Sequence, residues 1–260
     1  LYRATARLQA GHLEDAMADC QMLAQNYDMD ADCWFLTGKV ALAMDGYDEA
    51  SYDFEQAYGE DSSYDRAIQI YQAYLEKDME ADGTRYLEAV LSTEAKGTDD
   101  LCDRGRIYYY MEDYANAKKE LTDASNQGSQ EALLVLGMVY SAQQDYANAR
   151  SMYQQFVNQK LEDTSRNQTQ TAAPGYNGLA VCDMAEGNFD SALENINNGI
   201  SVAADDEMQS LLFNEIVIYE KKLDFSTAQA KAQEYVGMYP DDEEAAKELD
   251  FLKSRTGTVQ

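Results

Sequence analysis

Apolar positions along this chain recur at three- and four-residue intervals between short polar turns, the pattern of amphipathic helices. The stretch from Arg104 to Tyr153 carries one such pattern twice. Gly105 and Tyr108 precede Asp113-Tyr114-Ala115-Asn116-Ala117 and Leu121; at an offset of 32 residues, Gly137 and Tyr140 precede Asp145-Tyr146-Ala147-Asn148-Ala149 and Tyr153. Each copy reads as two helices joined by a turn. The first contributes a small residue followed by Tyr, and the second an Ala followed by a large apolar residue. With that alanine as a ruler, the pattern recurs at Ala16, Ala50, Ala117, Ala149, Ala192 and Ala228, with Thr84 in the slot between the second and third of these. The spacings are 34, 34, 33, 32, 43 and 36, which makes seven units.

In chain order, Leu1 to Arg7 is the end of a first helix, Gly11-His12 a turn and Leu13 to Gln25 a second helix. The second unit has Trp34-x-x-Thr37-Gly38-x-x-Ala41, a turn at Gly46-Tyr47, then Ala50, Phe54 and Ala57. Small Gly38 and Ala50 let the two helices approach, with Trp34 and Phe54 filling the space beside them. The third unit is the weakest, because Gln72 stands where Gly or Ala belongs and Thr84 where Ala belongs, so looser packing or a shifted turn is expected there. Between the fifth and sixth units the extra residues fall in the polar run Leu161 to Pro174, a predicted surface loop containing the sequon Asn167-Gln168-Thr169. The sixth unit runs through Tyr176, Leu179, Ala180, Gly187, Phe189, Ala192 and Ile196, and the seventh through Leu212, Ile216, Tyr219, Phe225, Ala228 and Tyr235 to Pro240. Asp241 and Asp242 suit the start of a last helix whose Ala245, Leu249 and Leu252 share a stripe.

Small residue, Tyr, Ala and large apolar residue at this period resemble the tetratricopeptide repeat. Ala124 to Tyr140, with Gly128 ending one helix and Leu136-Gly137-x-x-Tyr140 in the next, also resembles the related Sel1-like repeat. The resemblance implies an all-α, right-handed α-solenoid of about seven antiparallel helix pairs with a C-terminal capping helix. The expected boundaries are 1–29, 30–63, 64–97, 98–129, 130–160, 173–205 and 209–240 for the units, 161–173 for the loop, 241–254 for the cap and 255–260 for a tail. In that family the partner is met on the first helix of each unit; carried onto this register, the groove residues are Phe35, Lys39, Arg106, Tyr109, Leu134, Met138, Val181, Phe213 and Val217. The clamp for C-terminal carboxylates used by chaperone-binding members is not matched, since the corresponding positions hold Phe35, Lys39, Gln69, Ala73, Cys102 and Arg106. The competing reading of the apolar positions is that neighbouring first helices bury them against one another.

Composition narrows the chemistry. A net charge of −28 sets the surface against phosphate backbones and anionic membranes, so nucleic acid is not an expected partner. No run of apolar residues is long enough to span a bilayer. Cys20, Cys33, Cys102 and Cys182 are scattered without a C-x-x-C pair and read as small buried thiols, although Cys20 and Cys33 lie on successive helices. His12 is the only histidine and sits at a turn, leaving no material for histidine catalysis or a histidine metal site. Asp78-Met79-Glu80-Ala81-Asp82-Gly83 begins like a calcium loop, but Ala89 stands where its bidentate Glu belongs, and the stretch falls where the third unit needs a turn. No cofactor motif is present, and no pair among the many carboxylates is singled out for acid and base roles.

The expected function is therefore a non-enzymatic, monomeric protein-interaction scaffold holding a peptide or protein segment. Its acidic, Tyr- and Gln-rich, Lys-poor wording resembles bacterial tetratricopeptide lipoproteins, which implies a cell-surface location with a lipid anchor upstream of Leu1. The alternative is a regulatory or sensory module of a larger cytoplasmic protein with its effector domain upstream. Residue 1 falls inside a helix, so a preceding segment, either a targeting sequence or further chain, is expected in both cases.

Overall fold

The computed structural model describes residues 1–162 and 171–257. All regular structure among them is helical: α1 (Tyr2–Gln9), α2 (Leu13–Asn26), α3 (Ala31–Ala43), α4 (Tyr47–Glu60), α5 (Tyr64–Leu75), α6 (Glu80–Leu91), α7 (Thr98–Tyr110), α8 (Tyr114–Asn126), α9 (Gln130–Ala142), α10 (Tyr146–Glu162), α11 (Ala173–Ala185), α12 (Phe189–Val202), α13 (Asp205–Lys221), α14 (Phe225–Met238) and α15 (Glu243–Thr256). In chain order these are seven successive helix pairs and a terminal helix. Leu161 and Glu162, expected in the connecting loop, complete α10, and Ala173 and Pro174 begin α11 with the proline in the first turn, where its missing N–H costs nothing. The sequon at Asn167 lies outside the described residues, as does most of the predicted loop.

One turn is used seven times. Between the first and second helix of every pair a single residue adopts positive φ: Gly11 (72°), Asp45 (60°), Asp78 (56°), Glu112 (56°), Gln144 (60°), Gly187 (80°) and Leu223 (62°). The next residue's N–H reaches back to the carbonyl five residues earlier, as in Gly46 to Ala41 (2.9 Å), Asp145 to Tyr140 (2.9 Å) and Asn188 to Asp183 (2.8 Å). This satisfies a carbonyl that the end of an α-helix otherwise leaves unpaired. Asp78 is thus the left-handed residue of the α5–α6 turn, with Glu80 and Asp82 in the first turn of α6.

The turns correct the register of the third pair. The second-helix small residue lies five positions after the left-handed residue at Ala16, Ala50, Ala117, Ala149, Ala192 and Ala228, each of them fully buried. In the third pair that position is Gly83, which is buried, and not Thr84, which is partly exposed. The facing first-helix position is likewise Tyr71, 3 % exposed, and not the exposed Gln72. Sizes are inverted relative to α3–α4, where Gly38 of the first helix faces Phe54 of the second. A Cβ on Gly83 would lie 2.8 Å from the Tyr71 Cα, so this pair packs backbone against backbone rather than loosely.

The chain divides into two compact units, Leu1–Asp113 and Tyr114–Gln260. Unit 1 holds the pairs α1–α2, α3–α4 and α5–α6, followed by α7. Its main core gathers Phe54, Ile70, Tyr71, Tyr74, Leu87 and Ile107, with Ala4, Ala16, Cys20, Leu36 and Val40 as a second cluster at the first pair. Unit 2 holds α8, the pairs α9–α10, α11–α12 and α13–α14, and α15. Tyr153, Phe156 and Leu179 pack between its first two pairs, Ile196, Leu211 and Ile218 between the next two, and Tyr235 of α14 with Leu249 and Leu252 of α15. Asp242 starts α15 by accepting the Ala245 N–H (3.0 Å) and also accepts the Tyr235 hydroxyl (2.7 Å). All four cysteines are free; Cys20, Cys102 and Cys182 are buried and Cys33 half-buried.

Candidate functional site

One position of the first helices, six residues before each left-handed turn residue, separates the two units. In unit 1 it holds Thr5, Lys39, Gln72 and Arg106; in unit 2 it holds Met138, Val181 and Val217.

Lys39, Gln72 and Arg106 tie helices of unit 1 to each other. Lys39 lies 3.9 Å from Glu76 at the end of α5, and Gln72 donates to the Tyr110 hydroxyl of α7 (3.3 Å). Arg106 donates to Asp65 of α5 (2.8 Å) and to Asp103 (2.7 Å). Arg66, buried, pairs with Asp32 of α3, and its guanidinium lies 4.9 Å above the Phe35 ring. Phe35 also packs on Phe54 (5.8 Å) and Tyr109 on Tyr110 (5.8 Å). The four groove positions expected in unit 1, Phe35, Lys39, Arg106 and Tyr109, are therefore all engaged within it.

In unit 2 the same face is apolar and open. Leu134 and Met138 of α9 and Val181 of α11 border one groove of about 290 Å³. Pro174, Asn177 and Gly178 extend its α11 wall, and Ser210 and Leu211 form the α13 wall. Val181 is 36 % exposed, while Leu134 and Met138 are half-buried. The floor is the buried ring of Tyr153 on α10. A Cβ on Gly137 would come within 2.4 Å of that ring and one on Gly178 within 2.5 Å, so two glycines on different helices shape the slot that holds it. The Tyr153 hydroxyl is 3.3 Å from the Ser141 Oγ.

Glu207 stands at the groove's edge as its carboxylate. It accepts the Thr171 N–H (3.1 Å), the Thr171 hydroxyl (2.6 Å) and the Ala204 N–H (2.9 Å), which fixes the start of α13 against the residues leading into α11. Phe213 lies apart from the groove, in a pocket of about 340 Å³ with Asp206, Gln209, Tyr235, Asp242 and Glu244, its ring edge-on to Tyr235 at 5.7 Å. Burial, reinforced by the bond to Asp242, pushes the Tyr235 hydroxyl up to about 12, so it remains a donor. The Ala245 N–H, followed by Tyr235, holds Asp242 below the ordinary carboxylate range. Val217 is half-buried on α13 and borders neither cavity. Tyr153, Gly178 and Glu207 were not anticipated from the sequence. The pair Gly175-x-x-Gly178 at the start of α11 was the available signal, since a Cβ on Gly175 would meet Phe156 and Val157 of α10 at 2.6 Å.

Among the described residues, no three His, Cys, Asp or Glu side chains gather where they could hold a metal ion. None of the described helices is long and apolar enough to cross a membrane.

The family model of the tetratricopeptide repeat matches residues 131–159, which comprise α9 and most of α10, the helices that supply Leu134, Met138 and the Tyr153 floor. The chain has the tetratricopeptide-repeat fold, and this segment is one of its repeats. Among solved structures, it is similar to a tetratricopeptide repeat protein from Parabacteroides merdae, with a TM-score of 0.64 and 14% identity over 96% of each chain. It is also similar to a chain of the APC/C hetero-tetramer Cut9-Hcn1 (TM-score 0.55, 15% identity), covering 96% of this chain and 48% of that one. A third similarity is to IFIT1, solved as a monomeric mutant with Gppp-AAAA (TM-score 0.54, 15% identity), covering 94% of this chain and 64% of that one. The chain thus spans about half and just under two thirds of these two longer chains. No curated protein matches the sequence.

Proposed function

We propose that this chain is a non-catalytic interaction scaffold that holds a segment of a partner protein in the apolar groove of unit 2. The observation that carries the reading is the change at one register position, from Lys39, Gln72 and Arg106, which bond through polar groups to other helices of their own unit, to the apolar Met138, Val181 and Val217, the first two of which border the groove. An apolar strip on a chain of net charge −28 is where hydrophobic anchors of a partner segment gain most from leaving water. Tyr153 gives the strip a rigid floor, and the acidic faces elsewhere keep a complex soluble. The same charge disfavours a phosphate-bearing ligand such as the one named for IFIT1. The resemblance to tetratricopeptide lipoproteins supports a monomer displayed on the outside of a bacterial cell through a lipid anchor; fractionation of producing cells tests that location.

The double variant Leu134→Asp with Met138→Asp tests the groove. Both side chains are half-buried at its edge, so the helical circular dichroism should persist while chemical crosslinking in producing cells no longer captures the partner. An intact fold with undiminished capture would place the binding surface elsewhere.

A further inference from the structure

The first pair of unit 1 holds a buried carboxylate in a two-arginine grip. Asp19 of α2 accepts from Arg3 Nε (2.9 Å) and Nη2 (2.7 Å), and Arg7 Nη1 lies 2.7 Å away. One repeat later, Asp53 occupies the same place on α4, eight residues after its left-handed turn residue as Asp19 is after Gly11. The positions of Arg3 and Arg7 are taken there by Thr37 and Ala41, which carry no charge. In unit 2 the corresponding contacts are again polar. Glu215 of α13 pairs with Lys231 of α14 at 3.0 Å, and Asp183 of α11 accepts from Asn195 of α12 (2.8 Å) and from Arg150 (2.7 Å).

Among the described residues, five charged side chains are buried: Asp19, Asp53, Arg66, Asp183 and Glu215. Four have an opposite charge within ion-pair distance and Asp53 has none. Asp53 is 7 % exposed and borders an open cleft of about 390 Å³. Met17 of α2, Thr37 and Ala41 of α3, and Asp48, Glu49 and Tyr52 of α4 form the rest of its lining. Burial, with Glu49 adding to it, pushes the Asp53 carboxyl up to about 6, the behaviour of a carboxylate without a counter-charge. The cleft therefore combines a buried carboxyl, two exposed carboxylates at its mouth, an apolar wall and an exposed aromatic ring.

We propose that the cleft between α2, α3 and α4 receives an arginine side chain of a partner polypeptide, its guanidinium paired with Asp53 and its stem laid against Met17, Ala41 and Tyr52. The fork suits two carboxylates at once and repeats what Arg3 does at Asp19, whereas an ammonium is a point charge. Tyr52, 56 % exposed, offers a ring over which a guanidinium can stack. This site belongs to unit 1 and does not depend on the groove assigned above.

The test is an NMR titration of the isotope-labelled chain with the peptide acetyl-Ala-Arg-Ala-amide and with its neutral counterpart carrying citrulline. The arginine peptide should shift the amides of Met17, Thr37 and Ala41 saturably and lower the titration midpoint of the Asp53 carboxyl. The citrulline peptide should bind at least about tenfold more weakly. Asp53→Asn should abolish the response. Thr37→Arg, which puts a guanidinium at the place of Arg3, should abolish it too while raising the melting temperature, so the test stands even if the asparagine variant folds poorly. Equal shifts from the citrulline peptide, or an undiminished arginine response in Thr37→Arg, would overturn the proposal.

Discussion

Units 1 and 2 are built from the same hairpin and the same recurring turn, yet they present different chemistry at the same register. Lys39, Gln72 and Arg106 of unit 1 reach a neighbouring element of that unit, whereas Met138 and Val181 of unit 2 border an open apolar groove. A repeat fixes where a side chain points; residue chemistry then decides whether it bonds to its neighbours or lines an open groove. Two closely packed hairpins make the same distinction. In α9–α10 the glycine is on the first helix and the large ring on the second, and the ring floors a groove. In α5–α6 the sizes are exchanged, and Gly83 serves only to seat Tyr71.

The largest effect should come from filling the slot around the groove floor. Gly137→Leu would drive a side chain into the Tyr153 ring, which Gly178 prevents from retreating, and should destabilise the chain by about 3 kcal/mol or more in denaturant melts. It should also remove partner capture. Gly83→Ala tests the other unit: its Cβ meets the Tyr71 backbone, and overpacking of about 1–3 kcal/mol outweighs a gain of about 1 kcal/mol in helix propensity. Here stability should fall while capture by the folded fraction is unchanged. Gln72→Leu, at an exposed position, should stay within about 0.5 kcal/mol of the parent, and a loss equal to that of Gly83→Ala would refute the corrected register.

Smaller effects separate the units further. Leu223, exposed and held at φ 62°, is a β-carbon residue in a glycine conformation, so Leu223→Gly should raise stability by up to about 1 kcal/mol, read as a higher melting temperature. The smallest effect is a pH slope in unit 2. Burial, with the neighbouring carboxyl of Glu248 adding to it, pushes Glu220 from 4.5 up to about 7. The folded state then binds more protons than the unfolded one, so this contribution to stability is complete below 4.5 and is lost as pH rises through about 7. Glu220→Gln should flatten the slope over that window, and an unchanged slope in melts across the range would remove Glu220 as its source.

The alanine ruler made the order and number of helices legible, because Ala16, Ala50, Ala117, Ala149, Ala192 and Ala228 all proved to be fully buried. It failed by one residue at the third pair. A small residue was sought on both helices there, while the fold requires only that the two facing sizes be complementary, and Tyr71 with Gly83 meets that requirement in reverse. The turn residue Asp78 would have placed Gly83 correctly, since each ruler residue lies five after its turn residue. The expected groove positions were placed on their helices, but the pattern of single helices did not show that Arg106 binds Asp65, 41 residues away, or that Arg66 covers Phe35. Such ties depend on which helices are neighbours. Tyr153 was read as the core residue of its repeat, and its second role as a floor follows from Gly178 on the next pair.

The central claim, that partner contact belongs to the apolar face of unit 2 and not to the equivalent face of unit 1, is tested most directly by site-specific photocrosslinking in producing cells. A photoreactive phenylalanine analogue replaces Val181 in one chain and Gln72 in another, both exposed and both six residues before their turn residue. A discrete crosslinked partner is expected from position 181, disappearing when Leu134→Asp and Met138→Asp are added, and none from position 72. A partner crosslinked from position 72 with nothing from position 181 would contradict it.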